Sequence, residues 1–389
     1  MQSAIVGWGH TRFGRLVDHD LESLIVAAAT EAVQHAGLEF SDIEAVALGH
    51  FGAGMVPESF CSSLVLQSHP DLRFTPATRL ENACASGAAA IFHAKALLES
   101  GRAKRVLVVG AEKMTDVSGE AVTGSLGSAS YVRDESSQGL TFPGIFAQIA
   151  AQYFERYGDQ SAALARIAVK NHANGARNPL AHLRKALDFE TCNTVSAANP
   201  IIAAPLRKTD CSLVSDGAAA LVLTSAEDAR GYAQAVRFRS AIQINDFLPM
   251  ARRNPLLFEG PTEAFTRAFK ESGVGLNDLD FAEVHDCFTI AELLTYEAMG
   301  LAPRGRGAQA IEEGTVLSGG RLPVNLSGGL KAKGHPIGAT GVSMHVMAAM
   351  QLANQAGDLQ CRDPELGLVF NMGGSAVASY VSVLETLRS

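Results

Sequence analysis

Short apolar strands alternate with small-residue helices along this chain, and the alternation begins again after the middle. In the first pass, residues 3–8 (SAIVGW) and 105–112 (RVLVVGAE) have the unbroken apolar character of buried strands. Residues 21–36 and 85–101 have helical spacing, and a glycine closes each run. Strands that alternate with helices in this way predict an α/β fold in which helices cover the faces of a sheet.

The second pass, over residues 235–389, repeats the plan of the first. Each pass has a small-residue segment that opens a helix, CASGAAA at 84–90 and GHPIGATG at 334–341, and an apolar strand ending in glycine follows. We therefore predict two duplicated halves, 1–234 and 235–389. Gly- and Ser-rich stretches and helical runs interrupt the first half at about residues 113–205, which predicts an inserted loop domain.

The bulk composition excludes several classes of protein. The 389 residues are 47% hydrophobic and 19% charged, which fits a large buried core and not a disordered chain. A net charge of −8 is unlike the basic stripe of a nucleic-acid-binding protein. The opening residues lack the pattern of a secretory signal, and no apolar run approaches the ~18 residues of a membrane helix. We expect a cytoplasmic protein without nucleic-acid or membrane partners.

The six cysteines are scattered without CxxC spacing, which favours free thiols over disulfides or a zinc site. Cys84 stands out because it lies where a polar loop meets an Ala-rich helix. The unpaired N–H groups and partial positive charge of a helix N-terminus lower the pKa of a thiol, and they can hold an oxyanion. Taken alone, a buried structural cysteine is the more common explanation of such a residue.

Two further segments place histidines where chemistry is feasible. His335 lies in a Gly-His-Pro within a glycine-rich segment, and a histidine on such a loop can take a proton from a thiol. His285 and Cys287 follow the predicted strand FAEV, and α/β proteins place ligands at strand ends. A nearby Cys and His suit acid–base chemistry of a thiol. The alternatives are a satisfied turn histidine at 335 and an incidental His-Asp-Cys triplet at 285–287.

Together these segments resemble the thiolase family. Residues 84–87 (CASG) are similar to the family's nucleophile loop, GHPIGATG at 334–341 to its Gly-His-Pro signature, and HDCF at 285–288 to the sterol-carrier-protein-type thiolases. The resemblance implies a five-layer α-β-α-β-α fold, with a loop domain inserted in the first half, and a homodimer or a dimer of dimers. It also implies an acyltransferase of lipid metabolism that cleaves 3-ketoacyl-CoA with CoA, or runs the reverse Claisen condensation.

The resemblance assigns a role to each reactive residue. Cys84 carries the acyl group, and His335 assists its deprotonation. Cys287 supplies the second thiol, because the family's C-terminal Cys-x-Gly begins with asparagine here. His285 and His335 hold the enolate oxygen, and the backbone N–H groups of Cys84 and Gly373 form an oxyanion hole. Coenzyme A is then a substrate, and no metal or other cofactor is expected.

Three other functions stay open at the level of sequence. A decarboxylating ketoacyl synthase uses one cysteine with two histidines, and it would need no α-proton base at Cys287. A thiolase-like lyase, which cleaves its substrate by retro-aldol chemistry, would act without free CoA. A subunit of an acyl-CoA-binding complex with a small OB-fold partner would be revealed by co-purification of that partner.

Overall fold

The computed structural model of the protein describes residues 2–387. Within this range the strands are β1 (Ser3–His10), β2 (Ala45–Gly49), β3 (Ala77–Leu80), β4 (Arg105–Glu112), β5 (Ile201–Ala203), β6 (Leu206–Arg207), β7 (Gly217–Ser225), β8 (Val236–Asn245), β9 (Phe281–Val284), β10 (Leu366–Gly373) and β11 (Ala378–Thr386). The helices are α1 (Leu21–His35), α2 (Ser86–Glu99), α3 (Gly119–Gly127), α4 (Phe142–Tyr157), α5 (Ser161–Arg177), α6 (Phe189–Asn193), α7 (Glu259–Ser272), α8 (Thr289–Ala298), α9 (Ala308–Glu312), α10 (Gly329–Ala332) and α11 (Ile337–Leu352). No helix among these has the length and apolar character needed to cross a membrane.

The strands and helices of the first pass form where the sequence pattern predicts them. Helix α1 begins at a capping box, in which the Asp20 side chain accepts from the Ser23 backbone and the Ser23 side chain accepts from Asp20. All residues of β1 and β7 are buried. These strands therefore have no polar face, as expected where helices cover both sides of a sheet.

Nine of the strands form one mixed sheet in the order β3-β2-β4-β7-β1-β8-β11-β10-β9. β2 pairs in parallel with β3 and β4, and β9 pairs in parallel with β10, whereas the other pairings in this sheet are antiparallel. The two halves of the chain meet between β1 and β8, where Ala4 lies opposite Arg237 and Ile5 opposite Val236. The β5–β6 hairpin forms a separate small sheet.

The two halves repeat one arrangement. β1, α1, β2, α2, β4 and β7 follow one another in the same order as β8, α7, β9, α11, β10 and β11, and the corresponding strands pair in the same directions. α1 packs on β1 and β7, α7 packs on β8 and β11, and α2 and α11 lie side by side between the halves of the sheet. This is the predicted five-layer α-β-α-β-α fold.

The central helices α2 and α11 approach each other at the level of their backbones. A Cβ on Gly87 would lie only 2.7 Å from the carbonyl oxygen of Gly338, so a larger residue would push the helices apart. Both helices begin near the ends of β4 and β10. At the end of β4, the Glu112 side chain accepts from the Gly338 N–H of α11. The close packing therefore brings the first turns of the two helices together.

Between β4 and β7 the chain leaves the large sheet and forms α3 to α6 and the β5–β6 hairpin. α4 and α5 contact α8 of the second half. The Phe146 ring stacks on the Phe288 ring with centroids 4.5 Å apart, so this region covers the segment that follows β9. The division of the chain at residues 234 and 235, and the limits of the insertion at about 113–205, stay predictions.

Candidate active site

Cys84 lies in a tight loop immediately before α2. The preceding residue, Ala83, has a φ of 49°, in the left-handed region that residues with a side chain rarely adopt. Ser86 supports this turn, because its hydroxyl donates to the Ala83 carbonyl oxygen at 2.7 Å and accepts from the Asn82 N–H at 2.9 Å. Cys84 thus sits at the helix N-terminus as the sequence predicts, and only 3% of it is exposed.

His335 lies two positions before α11, as Cys84 lies two positions before α2. Its Nδ1 is 2.6 Å from the Thr340 hydroxyl, which itself donates to the Pro336 carbonyl oxygen at 2.9 Å. A hydroxyl has one proton to donate, so Thr340 accepts a hydrogen bond from Nδ1–H of His335. The neutral ring then carries its free lone pair on Nε2, which is the nitrogen that can take a proton.

His285 and Cys287 follow the end of β9, and both are buried. Asn371 of β10 lies beside His285, with its Nδ2 2.9 Å from Nδ1 of His285 and 3.2 Å from the carbonyl oxygen of Cys84. Sequence reasoning did not place Asn371 in the site. The signal that could have found it is its position, because it stands where many thiolases have their second cysteine.

The structure brings three of the predicted residues together. The sulfur of Cys84 and one ring nitrogen each from His285 and His335 all lie within 4.8 Å of one another. The two imidazole rings meet edge to face, with their centroids 5.1 Å apart. Cys84, Cys287 and His335 line one cavity of about 700 Å³, so both thiols border the same space. A cavity of this size is ample for a small-molecule substrate.

The lining of this cavity is mixed in character. Its larger apolar side chains are Met114, Val117, Val122, Leu126, Phe142, Phe288 and Ile337. Its polar ones include Arg15, Thr115, His182 and Ser212. Several of the apolar residues also pack in one cluster with Cys84, so an acyl group on this sulfur would have apolar neighbours.

Burial favours the neutral form of all four reactive side chains. Burial raises the pKa of Cys84 to about 12, although hydrogen bonding from the Gly374 backbone lowers it. Burial also raises the pKa of Cys287 well above its usual value. Burial lowers the pKa of His335 to about 3, and that of His285 well below its usual value. The net pKa of Cys84 is therefore raised, because the cost of burying a thiolate is larger than the lowering by backbone N–H groups; the contribution of the helix N-terminus itself stays a prediction.

Asp286, between His285 and Cys287, holds this segment in place through hydrogen bonds to its carboxylate. Its carboxylate accepts from the backbone N–H groups of Leu330 at 2.6 Å and Lys331 at 3.1 Å, at the start of α10. It also accepts from Asn171 at 2.8 Å. Burial, together with the nearby carboxylate of Glu292, raises the pKa of Asp286 to about 7. The contacts tie the His285–Cys287 segment to the chain that leads into His335.

The backbone beside Cys84 includes Gly373 and Gly374 at the end of β10. A Cβ on Gly373 would clash with the Asn82 carbonyl oxygen, so this position requires glycine. Sequence reasoning did not single out Gly374, whose backbone, together with that of Cys84 itself, lowers the pKa of the Cys84 thiol against the effect of burial. The oxyanion role of the Cys84 and Gly373 backbones stays a prediction.

Cys84, His285 and His335 are also spaced as metal ligands could be. Among the described residues this is the one group of His, Cys, Asp and Glu side chains with such spacing. Thiolate and imidazole are ligands that soft metal ions prefer. The expectation that the chemistry needs no metal or cofactor stays a prediction.

Two family models match the chain in succession. The model described as "Thiolase, N-terminal domain" matches residues 3–227, and the one described as "Thiolase C-terminal domain-like" matches residues 244–386. An acetyl-CoA acetyltransferase of Methanothermobacter thermautotrophicus is 35% identical over 98% of both chains. Sterol carrier protein 2 of Homo sapiens is 31% identical over 96% of this chain and 70% of its own length.

The fold has a counterpart among solved structures. The structure described as "Ltp2-ChsH2(DUF35) aldolase" superposes with a TM-score of 0.84, over 100% of this chain and 98% of its own. At 22% identity this likeness concerns the fold alone. With both family models matched and a full-length relative at 35% identity, the chain belongs to the thiolase family.

Proposed function

We propose that this protein is a thiolase that cleaves 3-ketoacyl-CoA with free CoA, or runs the reverse Claisen condensation, through an acyl group carried on Cys84. The observation that carries the proposal is the convergence of the Cys84 sulfur with ring nitrogens of His285 and His335 within 4.8 Å. Cys287 borders the same cavity as Cys84. The acetyl-CoA acetyltransferases that match nearly the full chain support acyl-CoA as the substrate.

In thiolysis the first step moves the acyl group onto Cys84. His335 Nε2 takes the thiol proton as the sulfur attacks the 3-keto carbon, because a thiol with a pKa of about 12 supplies little free thiolate at neutral pH. We assign the developing oxyanion to the backbone N–H groups of Cys84 and Gly373, a contribution of roughly 3–4 kcal/mol per donor. The bond between C2 and C3 then breaks, and its electron pair leaves with C2 as the enolate of an acyl-CoA.

The remaining steps return the enzyme to its starting state. Cys287 gives its proton to C2, while His285 donates a hydrogen bond to the enolate oxygen. The incoming CoA thiol restores the proton of Cys287 as its sulfur attacks the acyl group, and the departing Cys84 sulfur recovers its proton from His335. One ketoacyl-CoA and one CoA thus give two acyl-CoA molecules. In condensation the same steps run backwards, with Cys287 as thiolate removing the α-proton.

Two variants separate the roles of the thiols. Cys84→Ala should abolish acyl-enzyme formation, measured as a mass increase of the intact protein after mixing with acyl-CoA. Cys287→Ser should still be acylated on Cys84 but fail to cleave the carbon–carbon bond of 3-ketoacyl-CoA substrates of graded length. Cys361→Ser is the matched control, because this thiol contacts the Asp280 carbonyl oxygen and is not among the residues that line the cavity. This variant should keep both activities. Full thiolysis by Cys287→Ser, or acylation of Cys84→Ala, would overturn the role concerned.

A thiolase-like lyase is the second candidate. It is favoured by one observation, which is that a solved structure sharing this fold over the whole chain is described as an aldolase whose printed description includes DUF35. Substrate cleavage without free CoA, or co-purification of a small OB-fold protein, would support this second candidate. Release of carbon dioxide from a malonyl thioester would instead support a decarboxylating synthase. We place thiolase chemistry first because two thiols and two imidazoles gather here.

We also propose a cytoplasmic homodimer that forms through β3. β3 lies at the edge of the large sheet, and an unpaired strand edge is a template for pairing with another chain. Phe60 and Phe74, on the segments that adjoin β3, are 76% and 85% exposed. Phe74→Asp should shift the mass measured by light scattering toward the monomer, whereas Leu317→Asp, at an apolar residue that is 42% exposed, should not. A monomeric wild-type protein would contradict the proposal. Assembly of dimers into a tetramer stays a prediction.

A further inference from the structure

Asn371 lies at the centre of the site although its side chain has no acid–base chemistry. It is fully buried on β10, opposite Tyr380 of β11. Its Nδ2 is 2.9 Å from Nδ1 of His285 and 3.2 Å from the carbonyl oxygen of Cys84. One amide group therefore touches both the residue that carries the nucleophile and the neighbouring imidazole.

The Cys84 carbonyl oxygen decides which way this amide points. A carbonyl oxygen only accepts hydrogen bonds, so the reversed amide would set the Asn371 Oδ1 against it as a second acceptor. With Nδ2 facing the carbonyl, one amide hydrogen is used there and the second is directed to His285. A Cβ at Gly341 would lie 2.6 Å from the Asn371 Oδ1, so this glycine leaves the space that the orientation needs.

The Asn371 amide donates a hydrogen bond to Nδ1 of His285, and this fixes the tautomer of the ring. Nδ1 must present its lone pair to the Asn371 amide, so the single proton of the neutral ring is on Nε2. This Nε2 is buried and has no hydrogen-bond partner within residues 2–387. Leaving a buried donor unsatisfied costs about 1–3 kcal/mol, a cost that a substrate oxygen beside Cys84 would remove.

His335 has the opposite arrangement. Thr340 accepts from its Nδ1–H, which leaves the Nε2 lone pair free. The two rings, 5.1 Å apart, thus hold their protons on different nitrogens. One imidazole is prepared as a base and the other as a hydrogen-bond donor.

We propose that Asn371 is a positioning residue that locks His285 in its Nε2–H form, so that His285 donates a hydrogen bond to the oxygen of the bound acyl thioester while His335 acts as the base. This inference rests on the proposed function for its chemical meaning. Without the Asn371 amide, the His285 proton would distribute over both ring nitrogens, and the donor would be present only part of the time.

The first test is made on the wild-type protein. Ring-nitrogen NMR of histidine-labelled enzyme, with His285 and His335 assigned by His285→Gln and His335→Gln, reports which nitrogen holds the proton. We expect a protonated Nε2 on His285 and a protonated Nδ1 on His335. A protonated Nδ1 on His285 would overturn the proposal. The readout does not depend on activity, so it stands even if the protein does not catalyse the proposed thiolysis.

Substitution of Asn371 tests the cause. A carboxylate only accepts, so in the neutral ring, measured at alkaline pH where no imidazolium is present, Asn371→Asp should draw the His285 proton onto Nδ1. It should then reverse the ring shifts and lower kcat for 3-ketoacyl-CoA roughly 100-fold, with KM nearly unchanged. Asn371→Ala leaves the ring without a partner and should cost roughly tenfold in kcat, because the donor form is still partly populated. A merely structural role predicts the reverse order, since Asp nearly matches Asn in shape.

A matched control separates this effect from the cost of a buried carboxylate. Asn174 is also a buried asparagine, and its amide donates to the Asn325 carbonyl oxygen at 3.0 Å. Asn174→Asp should leave the His285 ring shifts and kcat unchanged. The unfolding midpoint is measured for each variant. If folded Asn371→Asp keeps the Nε2–H form, or if it loses less kcat than Asn371→Ala, the role of Asn371 is wrong.

Discussion

His50 of the first half and His285 of the second occupy the same place in two copies of one arrangement. Each directly follows a parallel strand, β2 or β9, and each is fully buried. In each ring Nε2 has no hydrogen-bond partner in the described part of the chain. The difference lies at Nδ1. In His50 this atom meets the Ala111 carbonyl oxygen at 3.0 Å and the Glu112 carboxylate at 3.1 Å, whereas in His285 it meets the amide of Asn371 at 2.9 Å.

The surroundings of the two rings shift their pKa values in opposite directions. Burial alone lowers the pKa of His50, but the charge of Glu112 raises it, and the net shift of the pKa is upward. At His285, burial and the nearby His335 both lower the pKa. The duplicated fold therefore decides where each imidazole lies, and the charged groups around each ring decide in which direction its pKa is shifted.

The first-half pair of His50 and Glu112 stabilises the contact between the halves. The Glu112 carboxylate accepts from the backbone N–H groups of Phe51 and Gly52, and also from Gly338 at the start of α11. The second-half pair of His285 and Asn371 instead adjoins Cys84. One copy of the arrangement thus stabilises the meeting of the two halves, and the other adjoins the candidate chemistry.

The largest expected effect is on stability, at the first-half pair. Glu112→Ala leaves the buried His50 ring without its carboxylate partner and three backbone N–H groups without an acceptor. We expect a loss of roughly 3–5 kcal/mol in the free energy of unfolding, measured by urea denaturation. Glu99→Ala is the control, because Glu99 pairs with Lys95 near the surface and is itself 43% exposed; it should cost less than about 1 kcal/mol. Equal losses in the free energy of unfolding would show that the Glu112 contacts do not stabilise the meeting of the two halves.

The second prediction separates the two histidines by what each variant loses. His285→Gln should lower kcat by roughly 10²–10³-fold, because a donor to developing negative charge is removed, with a smaller change in stability. His50→Gln should lower the free energy of unfolding while kcat stays within about tenfold of wild type. Steady-state kinetics and urea denaturation of both variants check this. The comparison fails if His50→Gln loses as much kcat as His285→Gln.

Most of the fold could be predicted, because long elements such as β4 and α1 carry a clear pattern along the chain. β3 could not, since its four residues at the sheet edge include an exposed threonine and Arg79, and they show no alternation of apolar and polar positions. The guanidinium of Arg79 instead donates to the carbonyl oxygens of His50 and Phe51. Such a strand is determined by contacts that are distant in sequence.

The residues of the candidate site also fall into those that the sequence could predict and those that it could not. Cys84 and His335 could be predicted because each precedes a small-residue helix and lies in a motif of the family. Asn371 could not, because its meeting with His285 depends on the register of β9 with β10, in which Val284 lies opposite Phe370. The direction of the pKa shift of Cys84 could not be predicted for a related reason, since burial raises this pKa and Cys84 packs in a cluster that includes Ile337 of the second half.

The third prediction concerns the base. Thr340→Val removes the group that accepts from His335 Nδ1–H, with little change in shape, so the lone pair on Nε2 is no longer assured. We expect acyl-enzyme formation on Cys84 to slow about tenfold, in line with the loss of one buried hydrogen bond. Single-turnover mass spectrometry measures this rate. Thr266→Val removes an exposed hydroxyl that also bonds to a backbone oxygen, and it should have no effect. An unchanged rate in Thr340→Val would contradict the prediction that Thr340 fixes the tautomer of His335.

The smallest expected effect is the opposite pH dependence of the two histidines. The folded pKa of His50 is raised above 6.5, so its stabilising contribution is fully present below pH 6.5 and is lost as the pH rises through the folded value. The folded pKa of His285 is lowered, so its neutral ring costs stability as the pH falls below 6.5. In urea denaturation across this range, the advantage of wild type over His50→Gln should shrink toward alkaline pH. The advantage over His285→Gln should shrink toward acid pH. Two parallel curves would mean that the pKa values of the two histidines are not shifted in opposite directions, and the contrast between the halves would lose its physical basis.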